Sequence, residues 1–197
     1  TPVFALGTGV TGGATAAEAT QVGGVVTISA ENASAISVDL SNGTHHVTKT
    51  LTGTGSAQAI TLTSGELSTL TDGTITVSAT ATDAAGNISS TGTTSFVLDT
   101  VAPVIGTITE ASNNATTTLA KAGDTITASF TSTDTVSSVT IGGKAATVTN
   151  TGGTNYTATY LVQAGDTGAT AVVVNSTDTA GNTASRTLSS AVTIDTA

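Results

Sequence analysis

The sequence predicts an all-β protein of two tandem domains, on the basis of its composition, its hydrophobic periodicity and an internal repeat. Only 9% of the 197 residues are charged and 3% are aromatic, whereas Thr, Val, Ser and Gly are abundant. Branched side chains such as Thr and Val favour extended backbone because they pack well on a pleated surface. A chain of this length suits two domains of roughly 100 residues each.

The hydrophobic pattern has a period of two residues. In the stretch GTITVSATATD, which begins at Gly73, apolar residues alternate with Thr and Ser. This alternation is typical of an antiparallel strand with one buried face and one solvated face. Turn-forming pairs such as Asn42-Gly43 separate the stretches. In the first half, the pattern predicts strands at 24–30, 35–41, 45–51, 74–82 and 95–100.

The second half repeats this scheme. Gly142-Gly143 and Gly152-Gly153 mark hairpin turns. Strands are predicted near 103–109, 124–131, 137–141, 145–149, 155–162, 170–176 and 186–194. Short strands in this number, with a turn about every 8–12 residues, indicate an immunoglobulin-like sandwich. The predicted architecture is two tandem immunoglobulin-like β-sandwich domains arranged end to end, residues 1–99 and 100–197, with one helical turn in 64–70 and no other helix.

Charge and composition exclude several classes of function. The net charge is −9 with only four basic residues, so the chain lacks the basic face that nucleic-acid binding requires. There is no cysteine, which excludes disulfides and thiolate metal sites. No run approaches 18 apolar residues, so we expect no direct membrane insertion. We expect the chain to behave as a monomeric fragment of a longer protein.

One turn motif occurs in both halves. TATDAAGNIS, at 80–89, and NSTDTAGNTA, at 175–184, share the pattern Asp-x-Ala-Gly-Asn. Each copy is followed by an Asp-Thr pair, at Asp99-Thr100 and Asp195-Thr196. The Gly allows positive φ, so side-chain and carbonyl oxygens can point inward together. The alternative is that Asp and Asn only cap these turns by local hydrogen bonding.

These residues resemble a known family. The stretches LDTVAPV, AKAGDTITASF, GGTNYTATYLVQAGDTGATAVVVNSTDTAGN and DGTITVSATATDAAGN are similar to the bacterial Ig-like tandem repeats of giant, type I-secreted, biofilm-type surface adhesins. The resemblance covers both halves. It implies an extracellular array on the bacterial cell surface that binds Ca²⁺ near the domain junctions. It also implies that neighbouring repeats of the same chain are the partners and that the array holds a distal ligand-binding region away from the cell.

Sandwich topology predicts where the acidic residues gather. The B–C and F–G turns of a domain lie at its N-terminal end, whereas strand G ends at the opposite pole. Asp99 at the end of the first domain would then meet Asp134, Asp178 and Asn182 of the second, with Asp72 nearby. Ca²⁺ takes 6–8 oxygen ligands in flexible geometry, which suits such a group better than Mg²⁺ or Zn²⁺.

The same topology predicts two half-sites, one at each end of the chain. Glu31, Asp83 and Asn87 would await an Asp from a preceding domain. Asp195 and Asp166 would await a following domain. We interpret Glu18, Asp39, Glu66 and Glu110 as solvated charges.

No enzymatic constellation emerges from the sequence. His45 and His46 are adjacent, so on a strand they face opposite ways and cannot readily bind one ion. No Ser and acid are placed beside either histidine, and the chain is not expected to be an enzyme. Three hypotheses stay open at this point: extender repeats, an adhesive module that binds a glycan or host protein through its loops, and an accessory domain of a secreted enzyme.

Overall fold

A computed structural model describes residues 1–196 of the chain. The chain divides into two compact units. Unit 1 comprises Thr1–Val101 together with the segment Thr179–Gly181, and unit 2 comprises the rest of the described chain from Ala102. Within the described residues, no helix is both long enough and apolar enough to cross a bilayer.

Unit 1 is built from seven strands in two sheets. They are β1 (Val3–Leu6), β2 (Val26–Ser29), β3 (Ala35–Ser41), β4 (His46–Thr52), β5 (Gln58–Ile60), β6 (Gly73–Thr82) and β7 (Gly92–Leu98). One sheet has the order β1-β2-β5 and the other β4-β3-β6-β7. All of these strand pairs are antiparallel. This order is that of an immunoglobulin-like sandwich, in which strands A, B and E pack against C′, C, F and G.

The core of unit 1 follows from the period-two pattern. In β6, the alternate residues Ile75 and Val77 are buried, whereas Thr74 and Thr76 are exposed. Ile75 and Val77 belong to one hydrophobic cluster with Ile28 of the other sheet. The hydroxyl-bearing face is therefore the solvated face, as the alternation predicts.

Two short helices interrupt the strands of unit 1. The predicted helical turn at 64–70 is confirmed as α2 (Ser64–Leu70). The expectation of no other helix is wrong, since α1 spans Ala16–Thr20 and a 3₁₀ turn spans Val10–Gly12. Both α-helices begin with a capping box, in which a Thr hydroxyl accepts from the N3 amide and the N3 Glu accepts from the Thr amide.

Unit 2 contains eleven strands. They are β8 (Thr109–Ser112), β9 (Leu119–Ala120), β10 (Thr125–Thr131), β11 (Thr135–Ile141), β12 (Lys144–Ala145), β13 (Thr147–Gly152), β14 (Asn155–Leu161), β15 (Gly168–Ala169), β16 (Val172–Thr177), β17 (Thr183–Leu188) and β18 (Thr193–Ile194). Two four-stranded sheets have the orders β13-β14-β10-β8 and β12-β11-β16-β17. A small third sheet, β15-β18-β9, pairs β18 with β9 in parallel.

The core of unit 2 joins its two large sheets. Ile126 and Phe130 of β10 share one cluster with Ile141 of β11 and Val174 of β16. The rings of Phe130 and Tyr156 stack with centroids 5.9 Å apart. This aromatic pair adds a specific contact to a core whose other buried side chains are aliphatic.

The structure confirms the predicted all-β, immunoglobulin-like fold class. The strand predicted at 35–41 coincides with β3, and most others are shifted by a few residues. Four short strands, β1, β5, β9 and β15, were not predicted. The strand predicted at 103–109 is mostly irregular, with an isolated bridge at Ile105 before β8 begins at Thr109. Two segments, β17 and β18, replace the single strand predicted at 186–194.

Candidate functional site

The N-terminal end of unit 1 brings three predicted ligands to one pocket. Glu31 lies in the turn between β2 and β3, while Asp83 and Asn87 lie in the turn between β6 and β7. All three line a pocket of about 190 Å³. Residue Val3 pairs with Ser29, which places these turns at the end of the unit where the chain enters. The structure therefore brings the three residues of this predicted half-site together.

The repeated turn in unit 1 is closed by the Asp83 carboxylate. Its Oδ1 accepts from the Ala85 and Asn87 amides at 2.9 and 2.8 Å, and its Oδ2 accepts from the Asn87 side chain at 2.7 Å. Gly86 has a φ of 88°, the left-handed conformation that the motif predicts. The hydrogen bonds from Asn87 and Ala85 lower the pKa of Asp83 below its ordinary value. The carboxylate is therefore ionised at neutral pH.

The donor chemistry of this pocket fits a hard cation. An ionised carboxylate can accept about four hydrogen bonds, so a cation at Asp83 would share the carboxylate with the donors of its own turn. If the side-chain amide of Asn87 rotated by roughly 180° around its terminal bond, exchanging its two ends, its Oδ1 would take the place of its nitrogen. Glu31 supplies a second carboxylate to the pocket lining, and its backbone oxygen accepts from Ser34. Carboxylate, amide and carbonyl oxygens together are the ligand set that Ca²⁺ prefers.

The far end of unit 1 brings Asp72 and Asp99 to neighbouring positions. Gly73 of β6 pairs with Leu98 of β7, so these two acids flank that pair on adjacent strands. The Thr100 hydroxyl donates to Asp72 Oδ1 at 2.8 Å. The Val101 amide donates to Asp99 Oδ1 at 3.1 Å. Both acids lie where the chain leaves unit 1, as the predicted junction requires.

Unit 2 groups Asp134, Asp178 and Asn182 at its own N-terminal end. Thr135 pairs with Thr177, and the acids Asp134 and Asp178 lie next to this pair. The Asn182 amide and side chain donate to the two Asp178 oxygens at 2.8 and 2.9 Å, which repeats the turn of unit 1. The structure therefore places each half of the predicted junction set at one end of its own unit.

The last predicted pair, Asp166 and Asp195, lies at the C-terminal end of unit 2. Asp166 Oδ2 accepts from the Tyr160 hydroxyl at 2.6 Å and from the Gln163 amide at 2.8 Å, and Oδ1 lies 3.8 Å from Lys144 Nζ. The Tyr160 and Gln163 bonds lower the pKa of Asp166, and the Asp166 bond raises that of Tyr160. A cation at Asp166 would therefore compete with Lys144 for the carboxylate.

Within residues 1–196, no group of three or more His, Asp or Glu side chains comes together. At each end of each unit the structure groups two of the predicted carboxylates, with an Asn amide beside them in two cases. Ca²⁺ binding by Asp99, Asp134, Asp178, Asn182, Asp72, Glu31, Asp83, Asn87, Asp195 and Asp166 stays a prediction.

Four acids interpreted as solvated charges make defined contacts instead. Glu18 and Glu66 close the capping boxes. Asp39 lies 2.9 Å from His46 Nδ1. Glu110 Oε2 accepts from the Ala191 and Val192 amides, and its Oε1 is buried without a hydrogen-bond partner. The Thr-x-x-Glu spacing was the available signal for the two caps, whereas the contact of Glu110 with a segment 81 residues away had no local signal.

The histidine pair has a neighbourhood that the sequence did not reveal. His46 lies on the edge strand β4, and its Nδ1 faces Asp39 while its Nε2 lies 3.5 Å from Ser41 Oγ. The sequence alone places no Ser and acid beside either histidine, whereas the structure brings Ser41 and Asp39 next to His46. Asp39 and Ser41 alternate on β3, and Ser41 pairs directly with His46, so the register alone brings the three together. The His46 side chain is 60% exposed, so this trio lies on an open strand face rather than in a cleft.

Comparisons with known proteins extend these findings. No protein-family model and no curated protein matches the chain. The chain is similar in structure to a Ca²⁺-stabilized adhesin that helps an Antarctic bacterium reach out and bind ice. The two are 26% identical, with a TM-score of 0.53 over 100% of this chain and 49% of that one.

A second similar structure concerns host cell surface retention of a 1.5-MDa bacterial ice-binding adhesin. It is 26% identical, with a TM-score of 0.50 over 100% of this chain and 64% of that one. The chain therefore spans about half of the first structure and less than two thirds of the second. Over its full length the chain is similar to segments of giant bacterial adhesins, which confirms the resemblance drawn from its sequence.

Proposed function

We propose that the chain is a pair of structural extender repeats of a bacterial cell-surface adhesin. In this role it holds a distal ligand-binding region away from the cell, and its partners are the neighbouring repeats of the same protein. Ca²⁺ binds at the ends of the units and stiffens the array. The repeats work outside the cell and perform no catalysis.

The observation that carries this proposal is the similarity to a Ca²⁺-stabilized adhesin over 100% of the chain. The net charge of −9 points the same way. Acidic side chains gathered at the ends of domains repel one another, and a divalent cation replaces that repulsion with coordination. Asp72 and Asp99 of unit 1, with Asp134, Asp178 and Asn182 of unit 2, would supply the junction ligands.

The end sites follow from the same chemistry. Glu31, Asp83 and Asn87 already share a pocket within unit 1, so they would bind Ca²⁺ together with an acid from a preceding repeat. Asp195 is the matching acid for a following repeat, because it occupies the place in unit 2 that Asp99 occupies in unit 1. Asp166 would contribute only if the cation displaced Lys144.

A second candidate function is an adhesive module that itself binds a glycan or host protein. One observation favours it: a cavity of about 640 Å³ lies beside α1 and α2 in unit 1, with Ala16, Leu67 and Thr71 in its lining. This lining lacks the aromatic and arginine side chains that dominate recognition surfaces. Saturable binding of this chain on a glycan array or to host cells would favour the module over the extender.

Calorimetric titration of metal-stripped protein with Ca²⁺ tests the extender proposal. The unaltered chain is expected to bind Ca²⁺, and Asp178→Asn is expected to lose binding at one site. Asn keeps the acceptor for the Asn182 amide but removes the charge, so the turn is retained. Asp39→Asn is the matched control, because Asp39 is a carboxylate on a strand face away from the predicted sets. No heat of binding, or equal binding by the two variants, would contradict the proposal.

A further inference from the structure

In both units, a segment that follows the first strand pairs in parallel with the last strand. In unit 1, the Ala14 amide donates to the Val97 carbonyl at 2.7 Å, and the Asp99 amide donates to the Ala14 carbonyl at 3.0 Å. In unit 2, the Thr193 amide donates to the Thr118 carbonyl at 2.9 Å. We call these contacts the terminal clamps: residue 14 with 97–99 in unit 1, and residues 118–120 with 193–195 in unit 2.

The repeated Asp-Thr motif has a backbone role in both clamps. The Asp99 amide donates to the Ala14 carbonyl, and the Asp195 amide donates to the Ala120 carbonyl at 2.9 Å. The two aspartates therefore occupy equivalent positions, each bonded through its amide to the segment that pairs in parallel with the last strand of its unit. This role involves the main chain and does not depend on what their carboxylates bind.

The direction of the pairing determines how each clamp responds to tension. When a chain is pulled from both ends, the segment near the start of a unit is drawn back and the last strand is drawn forward. Two parallel segments then slide along one another, so the hydrogen bonds across the pair are loaded together. In an antiparallel hairpin pulled at its open end, the bonds break one after another. Parallel pairing of the terminal segments is accordingly the arrangement that resists stretching.

The terminal clamp of unit 2 contains more paired residues than that of unit 1. Unit 1 has an isolated bridge between Ala14 and Leu98, whereas unit 2 pairs two successive residues, Thr193 with Leu119 and Ile194 with Ala120.

Glu110 adds a side-chain link to the clamp of unit 2. It lies on β8, the first strand of that unit, and its Oε2 accepts from the Ala191 and Val192 amides at 2.9 and 3.2 Å. These amides precede β18 directly. The Glu110 carboxylate therefore ties the first strand of the unit to the approach of its last strand, beside the backbone pairing.

We propose that the terminal clamps are mechanical locks that resist stretching along the chain, and that unit 1 yields at a lower force than unit 2. This goes beyond the extender role, because it assigns the resistance to named hydrogen bonds within each unit, namely the backbone bonds of both clamps and the Glu110 link of unit 2. It requires no bound metal.

Single-molecule force spectroscopy on the full chain, held between handles at its two ends, tests the proposal. Two unfolding events are expected, and Thr193→Pro is expected to lower the force of the stronger event. Proline removes the Thr193 amide that bonds to Thr118. Ala146→Pro is the matched control, because it also removes one backbone donor of unit 2, to the Val139 carbonyl at 3.0 Å, but outside the clamp.

A larger loss of force in Thr193→Pro than in Ala146→Pro supports the lock, and equal losses overturn it. If circular dichroism shows that Thr193→Pro does not fold, Glu110→Ala takes its place: a lower force for the stronger event supports the proposal, and an unchanged force overturns it. The force measurements are repeated in excess chelator, where the same difference in unfolding force between the two variants is expected. The test of the clamps is therefore independent of the Ca²⁺ sites proposed above.

Discussion

Removing the Glu66 side chain should destabilise unit 1 through two separate losses. The Glu66 carboxylate accepts from the Thr63 amide at 2.7 Å, which completes the cap of α2, and lies 2.9 Å from Lys49 Nζ through both oxygens. Loss of a helix cap costs about 1 kcal/mol. An exposed ion pair contributes up to about 1 kcal/mol, and both side chains of this pair are partly buried. Glu66→Ala should therefore lower the free energy of unfolding of unit 1 by about 2 kcal/mol.

The chain carries its own control for this prediction. Glu18 caps α1 with the same contacts to Thr15 as Glu66 makes to Thr63, but within residues 1–196 it forms no ion pair with a lysine. Glu18→Ala should therefore cost about 1 kcal/mol. Urea denaturation followed by circular dichroism measures both variants, and a double-mutant cycle with Lys49→Met isolates the ion pair. If Glu66→Ala costs no more than Glu18→Ala, the assignment of stability to the Lys49 pair is refuted.

The same carboxylate predicts a pH dependence. Partial burial by itself raises the pKa of Glu66, but the hydrogen bonds from Lys49 and Thr63 outweigh it, so the pKa lies below its ordinary value of 4.5. Folding therefore favours the ionised form. This contribution is fully present above about pH 4.5 and is lost as pH falls through the folded-state pKa. The stability difference between Glu66→Ala and the unaltered protein should narrow over that acid range.

Three further predictions concern unit 2. Asp166→Asn should move the pKa of Tyr160 back towards 10, because the Asp166 bond is the main cause of its rise; an unchanged alkaline absorbance titration would contradict this. Lys144→Met should change the free energy of unfolding by less than about 0.5 kcal/mol, because the lysine side chain is 59% exposed and its Nζ lies 3.8 Å from Asp166. Urea denaturation measures this change. A loss of stability equal to that of Lys49→Met would show that the Lys144–Asp166 pair is stronger than its geometry implies. Ile126→Ala should cost about 2–5 kcal/mol, because the side chain is fully buried; a cost under about 1 kcal/mol, measured in urea, would show that the site collapses around the cavity.

The fold was predictable to the extent that it depends on local alternation. The pattern of apolar and hydroxylated residues located β3 and β6, because one face of each is buried and the other solvated. Strands β1 and β5 were missed because they are four and three residues long, too short to show a clear period. Helix α1 was missed although Thr15 and Glu18 have capping-box spacing, because its five residues carry no long apolar stripe.

The candidate site was predictable where topology alone decides position. Turns at the same end of a sandwich must lie together, and Glu31, Asp83 and Asn87 do line one pocket. Asp166 shows the limit of that reasoning. Its contacts with Lys144 and Tyr160 depend on side chains brought together from separate strands, which no local spacing reveals. The neighbours of Glu110 and His46 were hidden for the same reason.

Small-angle X-ray scattering of the full chain, in Ca²⁺ and then in excess chelator, tests most directly whether the cation stiffens the array. We expect a narrow distribution of interatomic distances with Ca²⁺ and a broader one after chelation, with Asp178→Asn resembling the chelated state in both buffers. Identical scattering curves in Ca²⁺ and in chelator would contradict Ca²⁺ stiffening between the units.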